Sequence, residues 1–293
     1  MLNRSEIAAV FSSRNVKSVA NGEFAMVEKI AKNYQEHFGD QFTVGNVFDF
    51  CYKILKEEFR NEYFYKNTIA RKVFNSRRAA VSGTLFTEFR VGGSKADCVV
   101  VNDVASCYEI KTDYDNLAKL KSQLEAYLGI FDKVNAVVSA KYIDAVSSTV
   151  PAAVGIILLT EKDALRVIRP ATLIQDSLDT NLLMRSLRRD EYVSLANAVA
   201  GYSPSPRNTE IFGECRSLIE CADPGKVRKE FRRVIKRTRA LDKSFISSLP
   251  SSLMIAGVES SLTRSERIRL VQNVDSILCR NGYVFSDTQR EAV

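Results

Sequence analysis

Two carboxylates and a lysine fall close together near the middle of the chain. They lie in Lys95-Ala96-Asp97-Cys98-Val99-Val100-Val101 and, after a turn, in Tyr108-Glu109-Ile110-Lys111-Thr112. Residues two apart in a strand share a face, so Glu109 and Lys111 project together while Tyr108 and Ile110 face the other way. If the two runs pair as a hairpin, parity decides whether Asp97 joins them. A connection of 102–104 or 103–105 sets Asp97 opposite Glu109 or Lys111. A connection of 102–105 opposes it to Ile110 and breaks the cluster unless a bulge restores the phase. An odd-length connection is expected. Asp97, Glu109 and the Ile110 carbonyl then make a hard oxygen site for Mg²⁺ or Mn²⁺. Such an ion acidifies water and offsets charge on a phosphoryl oxygen. Lys111 would orient the attacking water or stabilise the transition state. The plainer reading is a surface Asp and an ordinary Glu/Lys pair on a solvated strand face.

Composition narrows the alternatives. The 293 residues include a single histidine, His37, six cysteines and no tryptophan. One histidine cannot build a multi-His zinc site or a His-Asn-His nuclease, so chemistry falls to carboxylates, lysines and a borrowed metal. His37 sits at an expected helix end, where a cation suits the helix dipole, and is given no catalytic role. The cysteines at 51, 98, 107, 215, 221 and 279 contain no C-x-x-C pair. Cys215 and Cys221 are read as core residues. With no secretory signal and no long apolar run, the chain reads as soluble, reduced and cytoplasmic, with no membrane partner. An apolar content of 45% is enough for a packed core.

The elements that must position these residues follow from periodicity. Residues 4–38 read as helical with a break at Asn21-Gly22, and further helices are expected over 44–59 and 61–77. The texture then turns to strands at Thr84–Val91, Ala96–Val101 and Ser106–Thr112. A helix is expected over 115–131, with Leu117, Leu120, Leu124, Leu128 and Phe131 at helical spacing. A strand at Val134–Ser139, a helix near 141–149, a strand at Gly155–Leu159 and an edge strand over 164–170 complete a mixed α/β core of order αβββαβ. Residues 179–200 read as one helix, 201–206 as a linker, and everything beyond as helical. The domains expected are therefore 1–55 helical, 56–170 core, 171–204 helical extension and 205–293 basic and helical.

On the helix after the Glu109 strand, Gln123 and Tyr127 sit four apart on one flank of the apolar stripe. There they can touch both the site and a nucleic-acid backbone through amide and hydroxyl groups. In this order, the Asp97 strand, Glu109-Ile110-Lys111 and the Gln123-x-x-x-Tyr127 helix together resemble the PD-(D/E)XK nuclease superfamily, particularly its RecB-like branch. The run from Thr87-Glu88-Phe89 through Phe131-Asp132 is also similar to poorly characterised bacterial and phage members of that superfamily. The likeness spans roughly 55–170. It implies a restriction-endonuclease-like core and a Mg²⁺-dependent hydrolase acting on DNA phosphodiesters, in phage defence or DNA processing. Asp97 and Glu109 would hold the metal, Lys111 would be catalytic, and Gln123 and Tyr127 would support the site or the strand. The further acid such nucleases draw from the preceding helix would be Glu62, with Glu88 as its rival. Ala96 stands where the motif has proline, a change the carboxylate tolerates. Lys95 is a candidate phosphate contact.

Charge adds a second surface. Residues 205–293 hold 16 Lys and Arg against 11 Asp and Glu, whereas the rest of the chain holds 26 against 24. Lys226–Arg239 carries eight of these cations around a stripe of Val227, Phe231, Val234 and Ile235. Arg232, Arg233 and Lys236 are the candidate DNA contacts from it. The alternative function is a catalytically inactive nuclease-fold module that binds DNA or protein, with a homo-oligomer or protein partner engaged through the helical ends.

Overall fold

The computed structural model describes residues 2–75, 83–202, 204, 209–279 and 284–285. The ends of the expected 61–77 helix and 201–206 linker, and part of the C-terminal segment, lie outside them. The chain divides into two compact units, one formed by Met1–Lys72 with Asp242–Val293 and the other by Val73–Leu241. This division departs from the expected boundaries at 55, 170 and 204. The stretch from 205 onward is shared between the units instead of forming a region of its own.

The first unit opens with α1 (Arg4–Ala8), α2 (Ser13–Ala20) and α3 (Ala25–Asn33), a short strand β1 (Gln41–Thr43), α4 (Val44–Glu58) and α5 (Glu62–Asn75). The expected helix over 4–38 is thus several short ones. Asn3 and Ser12 cap α1 and α2 by accepting from backbone amides, which restarts the helix each time. Phe11 stacks on Tyr63 at 4.3 Å within this core.

The second unit is built on a six-stranded mixed sheet with helices packed on it. Its strands are β2 (Thr84–Val91), β3 (Ser94–Val101), β4 (Ala105–Lys111), β5 (Lys133–Val138), β6 (Gly155–Leu159) and β7 (Leu165–Arg169), in that spatial order. β2, β3 and β4 form antiparallel hairpins, β4–β5–β6 run parallel, and β7 returns antiparallel at the edge. Parallel neighbours need a crossover. α6 (Leu120–Leu128) supplies the first and α7 (Ile143–Thr149) the second. α6 is shorter than the expected 115–131. The Thr112 amide and hydroxyl both donate to the Asp115 carboxylate at 2.7 Å, and this local turn delays the helix.

α8 (Thr180–Ser186), α9 (Arg189–Ala200), α10 (Ile211–Glu220) and α11 (Pro224–Thr238) complete the unit. The expected helix over 179–200 breaks at Leu187–Arg188, where the Glu191 carboxylate accepts from the Arg188 amide and starts a new helix. The chain then re-enters the first unit with α12 (Lys243–Ser248), α13 (Met254–Glu259) and α14 (Arg264–Val274). The end of the chain is not wholly helical. β8 (Ile277–Cys279) pairs antiparallel with both β1 and β9 (Val284–Phe285). Asn67, fully buried, ties α5 to this returning segment by donating to the Ser251 carbonyl and accepting from the Ile255 amide. Cys215 is buried as expected, but Cys221, just past the end of α10, is exposed and so is not a core residue. No helix among the described residues is long and apolar enough to cross a membrane.

α11 docks on the sheet unit through a buried ion pair. Arg228 donates to the Ser177 and Ile130 carbonyls and pairs with Asp132 at 3.3 Å, while Asp132 also accepts from the Ala105 amide and Arg232 at 2.7 Å. Removing one partner of such a pair leaves an uncompensated buried charge. Asp132→Ala is therefore expected to cost about 3–5 kcal/mol, measured by urea unfolding, with Asp132→Asn milder.

A second buried carboxylate sets an acid limit. Burial pushes the Glu191 carboxyl up, but Arg239 and the Arg188 amide outweigh it and hold it below the ordinary value of 4.5. A depressed folded-state pKa means that its contribution is whole above that value and is lost as pH falls through the lower one. Wild-type stability should fall from about pH 5 downward, and Glu191→Gln should flatten that fall in the same unfolding experiment.

Candidate active site

Why the acidic residues meet follows from strand register. β3 and β4 pair Val101 with Ala105, Val100 with Ser106, Val99 with Cys107 and Cys98 with Tyr108, so the connection is 102–104 and odd in length, as parity required. Continued one step, this register sets Asp97 opposite Glu109. There the ladder ends, and the Asp97 side chain takes over: its Oδ2 accepts from the Ile110 amide at 2.6 Å.

On the other side, β2 and β3 pair Thr87 with Cys98 and Phe89 with Ala96, leaving Glu88 opposite Asp97 without a ladder pair. Phe86 and Phe89, three apart, join one buried cluster, and so do Ala96 and Val99. An unbroken strand would put such residues on opposite faces. Both strands therefore reverse their facing at the Glu88/Asp97 pair. Glu88 makes the turn with φ +53°, a left-handed conformation that a residue with a Cβ adopts at a cost of roughly 1–2 kcal/mol. Carboxylate oxygens of Glu88 and Asp97 lie within 4.8 Å of each other.

Glu109 is the buried centre of the group, only 1% exposed at the end of β4. Its Oε1 accepts from Lys111 Nζ at 2.8 Å and its Oε2 from the Tyr127 hydroxyl at 3.2 Å. Gln123, one turn before Tyr127 on α6, lies near enough to favour the charged carboxylate. Burial raises the Glu109 carboxyl above its usual range, against the pull of Lys111, Tyr127 and Gln123. Burial and the nearby Glu109 charge raise the Tyr127 phenol, which stays protonated as a donor. The Cys107 thiol on the same strand is fully buried, and burial pushes it well up, so it is an inert packing group.

The residues singled out from sequence are thus not equally placed. Asp97, Glu109, Lys111, Gln123 and the Ile110 backbone are brought together. Tyr127 is fully buried against Glu109, so it supports the carboxylate and is unavailable to a nucleic-acid backbone. Of its two expected roles, support of the site or of the strand, this placement suits the first. Lys95 is exposed and lies 3.6 Å from Glu88. Glu62 begins α5 in the first unit, with an exposed side chain 2.6 Å from Lys66. Glu88, the other candidate, belongs to the sheet unit and is an acid beside Asp97. Arg232 is engaged by Asp132 and is not a free DNA contact, and Arg233 is exposed beside Glu230 at 2.7 Å. Lys236 is half-exposed on α11.

The matching family model is that of bacteriophage P4 protein cII, and it covers residues 55–256, more than half of the chain. The chain belongs to the bacteriophage P4 protein cII family. Protein cII of Enterobacteria phage P4 is 35% identical over 63 residues, an alignment that spans 22% of this chain and 24% of that protein. Among solved structures, the SPO1766 protein of unknown function from Silicibacter pomeroyi aligns over 59% of this chain and 88% of its own, at 14% identity and a TM-score of 0.29. A likeness that slight carries no argument. The matched family segment takes in every strand of the six-stranded sheet and all of the grouped side chains.

The left-handed residue gives a direct test of strain. In an ordinary strand, alanine is more stabilising than glycine by about 0.5–1 kcal/mol. At position 88 the order should invert, with Glu88→Gly more stable than Glu88→Ala by about 1 kcal/mol in thermal or urea unfolding.

Proposed function

We propose that this protein is a metal-dependent deoxyribonuclease with a PD-(D/E)XK-type, restriction-endonuclease-like core in its sheet unit. One observation carries the reading: a desolvated glutamate near the end of a central strand accepts from a lysine two residues on and from a tyrosine on the next helix, with a glutamine of that helix beside it. Beside it, Asp97 is bonded to the same strand. The donor set fits a hard divalent cation, since Asp97, Glu109 and the Ile110 carbonyl all offer oxygen. Bound there, Mg²⁺ or Mn²⁺ would neutralise charge on a phosphoryl oxygen and make a nearby water more acidic.

The chain's own residues then divide the remaining work. Tyr127 holds the Glu109 carboxylate in one orientation by donating to it, with Gln123 beside it, as supporting groups do around metal-binding carboxylates. The Ile110 amide does the same for Asp97. Lys111, whose Nζ donates to Glu109, orients water or meets the negative charge that develops on the transferring phosphoryl group. Lys95, outside the buried group, is a candidate for a flanking phosphate, and Arg233 and Lys236 on α11 are candidates for more distant ones.

The test uses purified full-length protein on linear and circular DNA with Mg²⁺ or Mn²⁺. Cutting is expected with either ion and none in EDTA. Asp97→Ala and Lys111→Ala should each abolish cutting, by roughly 10³-fold or more, while unfolding curves show that both remain folded. Activity that persists in EDTA, or in both variants, would overturn the reading. DNA binding without cutting in either ion would turn it into the non-catalytic binding module.

A further inference from the structure

Arg239 is the last of the eight cations in the basic segment, and its surroundings differ from those of a phosphate contact. Its Nε and Nη2 donate to the two oxygens of Glu191, both at 2.6 Å, a bidentate fork on a carboxylate that is 1% exposed. Thr238 adds a hydroxyl to the same carboxylate at 3.2 Å. So fixed, the guanidinium carbon lies 4.6 Å from the centre of the Phe89 ring. Phe131 packs against the same ring edge-on at 5.6 Å. Phe89 is therefore held between a cation anchored on α9 and an aromatic side chain just past α6. It directly follows Glu88, the residue in the left-handed bend.

We propose that Arg239 is a positioning residue: by fixing Phe89 it imposes the bend at Glu88 that turns this carboxylate toward Asp97. The proposal rests on the nuclease reading for its purpose, but the clamp itself is a separate physical claim. A strained backbone persists only where its surroundings over-determine it. The strain here lies at residue 88, and the surroundings that determine it are the ring at 89 and its two neighbours. Arginine suits the task where lysine would not, because its planar fork can engage Glu191 while one face lies on the ring. Arg239 touches no reacting group and acts only through Phe89.

The experiment uses the full-length chain in five forms: wild type, Arg239→Lys, Phe89→Leu, Glu88→Gln and the Arg239→Lys/Glu88→Gln double variant. Arg239→Lys keeps a cation beside Glu191, and Phe89→Leu leaves the ion pair whole, so at least one should fold. Hydrogen–deuterium exchange reads the bend without any metal. In both variants the amides of 86–91 are expected to exchange ~10-fold faster, while those of β5 (Lys133–Val138) stay as in wild type. Unchanged exchange at 86–91, or an equal rise in β5, overturns the clamp. Mn²⁺ titration then reads its purpose. Arg239→Lys should weaken binding about 10-fold in the wild-type background and have little effect once Glu88 is Gln. Equal effects in the two backgrounds overturn the proposal. A wild-type protein that takes up no Mn²⁺ overturns the nuclease reading, and exchange at 86–91 still decides the clamp.

Discussion

A carboxylate removed from water must find partners, and Glu109 imposes that requirement on everything around it. Leaving it charged and buried without donors would cost several kcal/mol, so the fold must deliver them. Lys111 arrives through the two-residue period of β4. Gln123 and Tyr127 arrive through the four-residue period of α6, and only because the parallel crossover from β4 to β5 lays that helix back along the strand it has just left. The sheet order, the crossover and the short α6 can all be read as conditions for satisfying one side chain. The same arrangement keeps the tyrosine protonated and gives it a fixed direction in which to donate.

Period decides how much of this was legible in the sequence. Parity narrowed the β3–β4 connection to 102–104 or 103–105, because a one-residue error would have thrown Asp97 onto the wrong face, and the structure takes the first. The strands β2–β7 were likewise visible as β-branched or apolar runs separated by turns and helices, though not their order in the sheet. What stayed hidden depends on partners far away along the chain. Arg228 and Arg232 look like solvated cations beside their neighbours, yet Asp132 lies 96 and 100 residues from them. Arg239 looks the same until Glu191, 48 residues back, is placed beneath it. The strands at 277–279 and 284–285 are too short to show a period of two. Tyr127 was read as a flank of its helix, but the helix is turned so that its hydroxyl, not its exposure, is what the site uses.

The sheet unit treats its two acidic neighbours in opposite ways. Asp97 is satisfied locally, by an amide on the adjacent strand, and needs no strain to hold its place. Glu88 is held by a backbone conformation that costs energy and is exposed enough to remain adjustable. A protein that keeps an unfavourable conformation at one carboxylate, while spending a buried ion pair nearby on holding it, resembles the general pattern in which stability is given up at a working site. The family match spans both residues together with the helices that brace them.

The way the chain is threaded has a consequence for its synthesis. The sheet unit is continuous in sequence, so all of its strands and helices are available as soon as it has been made. The first unit is not: Asn67 awaits Ser251 and Ile255, and β1 awaits β8, each pair separated by the whole of the other unit. On a ribosome, where the N-terminal side emerges first, α1 to α5 must wait with apolar faces uncovered while the intervening unit folds. The segment made earliest is thus among the last to finish, and a chain cut off at residue 241 would contain the whole of the sheet unit but only part of the first.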